Sequence, residues 1–264
     1  MFIDSHCHLS FPELRERLPE LLTAMRQAQV QQALCICTTL EEFPTVLGLA
    51  EQHEVLWASV GVHPDNEDVL EPSVADLLRL AAHPKVLAIG ETGLDYYRLN
   101  GRSVAEMEWQ RERFRVHIRA AKACGKPLIV HTRSSAADTL AILKEEGAQT
   151  VGGVFHCFTE DQAVAAAAVD LGFHISFSGI LTFKNAEDLR AVAASLPRER
   201  VLIETDSPYL APVPYRGKLN QPAYVPHVAT QLAQIWGVPV EEVAALTTRN
   251  TQRLFRLPEP AAAC

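Results

Sequence analysis

Two histidines with one residue between them stand in Asp4-Ser5-His6-Cys7-His8, just behind the apolar start of the chain. On an extended strand, residues two apart share a face, so His6 and His8 point one way and Cys7 the other. Two neutral imidazoles on one face can grip a metal ion if further ligands arrive from elsewhere. Alone, the pair reads more readily as two surface histidines. Other metal-type side chains stand at the ends of later apolar runs: Glu91 after 86–90, His131 after 128–130, His156 after 153–155 and Asp206 after 201–203. Any one of them could be a capping acid or a satisfied core histidine. Five runs ending this way together point to a metal site.

The runs themselves read as strands at 2–8, 33–39, 55–62, 86–90, 128–130, 153–155, 174–178 and 201–203. Helical spacing of apolar residues follows at 14–29, 41–53, 73–82, 103–124, 136–146, 162–171 and 186–195, with two closing helices at 226–236 and 240–253. Ser73 caps one of these helices and Gly125 ends another. Short buried strands alternating with helices mean a parallel sheet, and eight such units close into a (β/α)₈ TIM barrel, an α/β fold. A barrel of this kind takes ~250 residues. Residues 1–257 are therefore expected to form one hydrolase-type domain, with 258–264 as a C-terminal tail. In such a barrel the chemistry sits at the C-terminal ends of the strands, which is where the candidate ligands fall.

Six candidate ligands, His6, His8, Glu91, His131, His156 and Asp206, exceed what one tetrahedral ion needs. Two ions bridged by a carboxylate use them well. Glu91, from the middle of the set, is the natural bridge. His6, His8 and Asp206 would complete one position, because first and last strands adjoin in a closed barrel, and His131 with His156 would complete the other. Imidazole mixed with carboxylate suits Zn²⁺ or Mn²⁺, whereas Mg²⁺ prefers oxygen. Two divalent ions against two carboxylates leave a positive site that suits a phosphodiester, although Glu204 nearby would blunt it. Paired ions activate water for in-line displacement. The same centre could hydrolyse amides, lactones or esters.

Composition narrows the setting. With 48% hydrophobic and 21% charged residues, the chain has the makings of an ordinary packed core. No run approaches the ~20 apolar residues of a membrane helix, and the N-terminus lacks a signal-peptide pattern, so the expectation is a cytoplasmic protein that does not engage membranes. Six cysteines without Cys-x-x-Cys spacing fit a reduced compartment. A net charge of −8 argues against field-driven, nonspecific binding to nucleic acid, but not against a nucleic-acid substrate held at a local metal site.

Phe-Ile-Asp-Ser-His-Cys-His at 2–8, Gly-Val-His-Pro at 61–64, Gly-Glu-Thr-Gly-Leu-Asp-Tyr-Tyr at 90–97, Pro-Leu-Ile-Val-His-Thr-Arg at 127–133, His-Cys-Phe at 156–158 and Glu-Thr-Asp-Ser-Pro-Tyr-Leu at 204–210 resemble the TatD family of metal-dependent deoxyribonucleases. The resemblance runs in order from residue 2 to about 256. It implies an amidohydrolase-type barrel with those six residues as ligands. The implied activity is metal-dependent cleavage of DNA phosphodiesters, often exonucleolytic and usually assayed with Mg²⁺. The ligand chemistry favours Zn²⁺ or Mn²⁺, so the two ions stay open among Mg, Mn and Zn. Single-stranded DNA or 3′ ends are the expected partner, and a monomer the expected state. Some relatives act otherwise, including removal of D-amino acids from tRNA.

Roles follow as expectations. Asp206 would bind one ion and accept a proton from the attacking water. Glu204 would orient a ligand or simply fill the barrel interior. His63 would donate to a phosphate or leaving-group oxygen, or be a loop histidine held by Pro64. Asp95 would orient His63, bind a sugar hydroxyl or form a turn. Arg133 would pair with a phosphate oxygen. Tyr96 and Tyr97 would stack on bases or pack in their loop. Arg98, Lys184, Arg216 and Lys218 are expected on the rim. His53, His83, His117, His174 and His227 read as structural. The competing readings are an esterase or amidohydrolase acting on a small molecule or D-aminoacyl-tRNA, which expects a compact apolar pocket, and a non-catalytic binding module.

Overall fold

The computed structural model describes residues 1–257; the expected tail at 258–264 lies outside the described residues. Strands β1 (Phe2–Cys7), β2 (Val30–Cys35), β3 (Leu56–Val60), β4 (Val86–Asp95), β5 (Leu128–Arg133), β6 (Gly153–Phe155), β7 (His174–Phe177) and β8 (Val201–Ile203) pair in that order, all parallel. Helices α1 (Pro12–Arg15), α2 (Leu18–Gln27), α3 (Phe43–Gln52), α4 (Val74–Ala81), α5 (Glu108–Cys124), α6 (Ala136–Glu145), α7 (Gln162–Asp170) and α8 (Glu187–Ser195) fall between the strands, and α9 (Val225–Trp236) and α10 (Val240–Phe255) follow β8. The expected (β/α)₈ barrel is therefore what the chain forms. No helix among the described residues is long and apolar enough to cross a membrane.

Several boundaries differ from the pattern-based ones. The helix expected over 14–29 is two, because Pro19 lacks an N–H and belongs in a first turn, so α2 begins afresh at Leu18. Strand β2 starts three residues before Ala33 and stops at Cys35. Beyond it, Cys37 N donates to Ser59 Oγ and Thr38 N to the Glu42 carboxylate, so that backbone leaves the ladder. Strand β4 continues past Gly90 to Asp95, which carries Glu91 inside the sheet. Gly93 permits this: at φ 130°, a Cβ there would lie 2.0 Å from His131 O.

The barrel closes between β1 and the segment after β8. Asp206 N donates to His6 O at 2.9 Å and His8 N to Ser207 O at 2.8 Å. Buried Asp4 accepts from Thr205 N at 2.9 Å and from Thr205 Oγ1 at 2.5 Å. Burial drives the Asp4 carboxyl up to about 8, against the Thr205 and His6 hydrogen bonds that favour its charge. Most of the apolar core lies between sheet and helices, where Cys7 points, as the two-residue period requires. A smaller cluster of Leu34, Ile36, Ala88, Ile129, Val154 and Leu202 meets Phe255 of α10. The strand ends opposite are left to polar side chains.

Candidate metal centre

Glu91, only 2% exposed, is the hub of the site. Its Oε2 lies 3.3 Å from His6 Nε2 and 4.0 Å from His8 Nε2. Its Oε1 lies 2.8 Å from His156 Nε2, 3.2 Å from His131 Nδ1 and 3.3 Å from His63 Nε2. Asp206 Oδ1 is 3.4 Å from His8 Nε2 and 3.6 Å from His6 Nε2. All six residues singled out as ligands thus converge, with one carboxylate reaching both groups.

The donor set fits metal ions. Bonds of about 2.0–2.1 Å in a tetrahedral zinc site put neighbouring ligand atoms about 3.3 Å apart. Separations of 3.3 to 3.6 Å recur here among His6, His8, Glu91 and Asp206. His6 with His8 and Glu91, and His6 with His156 and Asp206, form compact groups of potential ligand atoms. So do His63, Glu91 and His131. Within that last group His63 differs: its Nδ1 accepts from Asp65 N at 3.0 Å, so the proton of the neutral ring sits on Nε2. A protonated Nε2 donates and cannot ligate.

Charge inside the cluster is set by burial working against close partners. Burial pushes the Glu91 carboxyl up, but His156, His63 and His6 hold it well below the usual carboxylate range. Asp206 is held down in the same way by His8 and His6. Burial lowers His63, so its imidazole is neutral at neutral pH.

Above the cluster opens a cavity of about 660 Å³ lined by His63, Asp95, Arg98, Arg133, Cys157 and Tyr209 among others. Arg133 lies 3.8 Å over the ring of Tyr97, which is 61% exposed. Across the opening, Phe11 stacks on His8 with centroids 4.8 Å apart and meets Tyr209, 55% exposed, edge to face.

The remaining expected residues divide. Asp95 faces His131, accepting from its Nε2 at 2.9 Å, rather than orienting His63. Glu204, fully buried, accepts from Cys157 N at 2.7 Å and lies 3.4 Å from His156 Nδ1. Base stacking does not suit Tyr96: its ring is only 8% exposed, outside the cavity lining, and its hydroxyl donates to Asp138. Lys218 is also absent from the lining; its ammonium sits 5.7 Å over the Tyr215 ring. Arg216 stacks on Phe183 at 3.6 Å, leaving Arg98 and Arg133 as the cavity's arginines.

Phe11, Asn66, Cys157 and Tyr209, none of them a candidate from the sequence, line the cavity, and Arg113 donates to the carbonyls of His63 and Asn66 and so fixes the loop carrying His63. Tyr209 could have been found from its place three residues after Asp206. Arg113 gave no such sign, because its target is a distant backbone. His117 is structural, as expected: its Nε2 accepts from Val62 N and its Nδ1 lies 2.7 Å from Arg113 O.

A (β/α)₈ barrel with histidines and carboxylates gathered at its strand ends defines a metal-dependent hydrolase. The family model described as TatD related DNase matches residues 3–256, and the chain belongs to the TatD family. It is 48% identical over 259 residues to YcfH of Escherichia coli K12, an uncharacterized metal-dependent hydrolase, covering 97% of this chain and 96% of that protein. It is 33% identical over 262 residues to the 3′-5′ ssDNA/RNA exonuclease TatD of Edwardsiella piscicida, covering 97% and 99%. Among solved structures, the TatD homolog YjjV of Escherichia coli K12 superposes with a TM-score of 0.88 at 31% identity, covering 97% of this chain and 98% of that one.

Proposed function

We propose that this hydrolase cleaves phosphodiester bonds in DNA, working from 3′ ends of single strands with two divalent ions bound about Glu91. The observation that carries the reading is the division of that carboxylate, Oε2 toward His6 and His8 and Oε1 toward His131 and His156. The activity in the name of the Edwardsiella piscicida relative supports the substrate class. So does an open cavity with arginine and exposed tyrosine at its edge, since single strands are bound by backbone charge and base stacking.

His6, His8, Asp206 and Glu91 would hold one ion, and His131, His156 and Glu91 the other. When bound, such ions lower the pKa of water and stabilise the attacking and leaving oxygens of a displacement. The protein's own groups do the rest. Asp206, with its side chain 14% exposed at the cavity floor, accepts the proton of the attacking water. His63 Nε2–H, aimed into the cluster, donates to the departing oxygen. Arg133 pairs with a non-bridging phosphate oxygen. Tyr209 and Phe11 offer faces for an unpaired base.

The test is hydrolysis of end-labelled single-stranded DNA by metal-stripped protein resupplied with Mg²⁺, Mn²⁺ or Zn²⁺, beside Glu91→Ala. Metal-dependent release of nucleotides from the 3′ end, lost in Glu91→Ala, is expected. Hydrolysis of simple esters or aminoacyl-tRNA without nucleotide release would overturn the reading.

A further inference from the structure

The histidines around Glu91 are supported unequally. His131 turns Nδ1 toward Glu91 and its Nε2 donates to Asp95 Oδ2 at 2.9 Å. His156 is turned the other way round: Nε2 faces Glu91, and Nδ1 lies 3.4 Å from Glu204 Oε1. A carboxylate therefore stands behind each ring, on whichever nitrogen does not face the centre. The Nδ1 atoms of His6, His8 and His156 are all buried without a hydrogen bond to the protein, and Glu204 Oε1 lies 3.4 Å from that of His156, so the direct hydrogen bond from a ring to a carboxylate behind it is the one at His131.

A carboxylate behind an imidazole keeps the proton on the far nitrogen and leaves the near one with its lone pair free for a cation. It also makes that lone pair more basic. Asp95 and Glu204 are themselves fixed, Asp95 Oδ1 by Tyr97 N at 2.8 Å and Glu204 Oε1 by Cys157 N at 2.7 Å, so the rings they face need little reordering on binding. Three carboxylates, Glu91, Asp95 and Glu204, bear on the His131–His156 half. Glu91 and Asp206 bear on the other.

Resting on the two-ion reading above, we infer that Asp95 and Glu204 are positioning residues that make the His131–His156 half the tighter metal position, filled first, while the His6–His8–Asp206 half is the weaker one. The consequence for Asp95→Asn is specific. Oδ1 at Tyr97 N leaves the new amide N–H₂ against His131 Nε2, which must then accept, and the ring proton moves to Nδ1, facing Glu91. The change keeps size and fold but blocks a ligand.

The experiment is calorimetric titration of stripped protein with Zn²⁺, repeated with ¹¹³Cd²⁺ under NMR to resolve one resonance per occupied position. Wild type is expected to bind two equivalents in two steps. Asp95→Asn should weaken the first step 10–100-fold, the usual cost of removing a ligand's outer partner, and at least as much as Asp95→Ala does. Glu204→Gln, which keeps an oxygen toward Cys157 N and His156 Nδ1, should weaken it less than Glu204→Ala. Asp206→Asn should weaken only the second step. Melting of the stripped variants controls for folding, since a merely structural role would lower stability without moving either affinity. A tight step that survives Asp95→Asn, or falls with Asp206→Asn, overturns the inference while leaving the two-ion reading intact. A wild type that takes up a single equivalent overturns both.

Discussion

One buried histidine should contribute a share of the stability that mild acid removes. His117 on α5 is fully enclosed, and burial, opposed in part by its contact with Arg113 O, lowers it from 6.5 to about 4. In the unfolded chain the same ring returns to about 6.5. Between these values the unfolded state holds the extra proton, so stability rises with pH across that window and is lost as pH falls through it. The full separation of about 2.5 pH units corresponds to about 3 kcal/mol at 1.36 kcal/mol per unit. About 2 kcal/mol of that should already be lost on going from pH 7.5 to pH 5. Urea denaturation of wild type and His117→Gln across this range isolates the term, because Gln can still accept from Val62 N but does not titrate. The two stability curves should converge toward pH 5 by about 2 kcal/mol. Parallel curves would refute the reasoning.

Three further outcomes are expected. Asp206→Asn, assayed at a metal concentration that fills both positions, should cost about 10²–10⁴-fold in kcat on single-stranded DNA, the usual worth of a general base. Arg133→Ala should act mainly on KM, raising it roughly 10-fold or more and flattening its dependence on salt, as the loss of one phosphate contact requires. Gly93→Ala should be destabilised by more than about 3 kcal/mol in thermal or chemical denaturation, since its Cβ meets His131 O where the neighbour is backbone and cannot yield.

The convergence of the six candidate ligands was legible because each stands at an apolar run, and in a parallel barrel those runs all end at the same mouth. The barrel was legible for the same reason, from strand and helix periods alternating along the chain. What lies behind the ligands was not. Whether Asp95 faces His63 or His131 depends on the register of β4 against β5, and Asp95 pairs with Arg133 there, two residues beyond His131. Tyr96 and Tyr97 are adjacent and chemically alike, yet the turn after β4, where Tyr97 N donates to Asp95 Oδ1, sends one into the packing beside Asp138 and the other into solvent. The charge of Arg216 and Lys218 is all that their place in the sequence shows. Their aliphatic and planar parts find aromatic rings, a choice made by the fold of the loop before α9.

Closure of the barrel has a bearing on the order in which the centre is assembled. Asp4 and Thr205 are 201 residues apart in sequence, and Asp206 N reaches His6 O across a similar span. Contacts of such separation form late, because the loop they close must first be ordered. During synthesis, a chain still lacking β8 holds His6 and His8 without Asp206 and His156 without Glu204. The segment just after β8 supplies both carboxylates together with the hydrogen bonds that fasten β1. The expected consequence is that competence to bind metal at full strength appears in step with the completed fold and not before it.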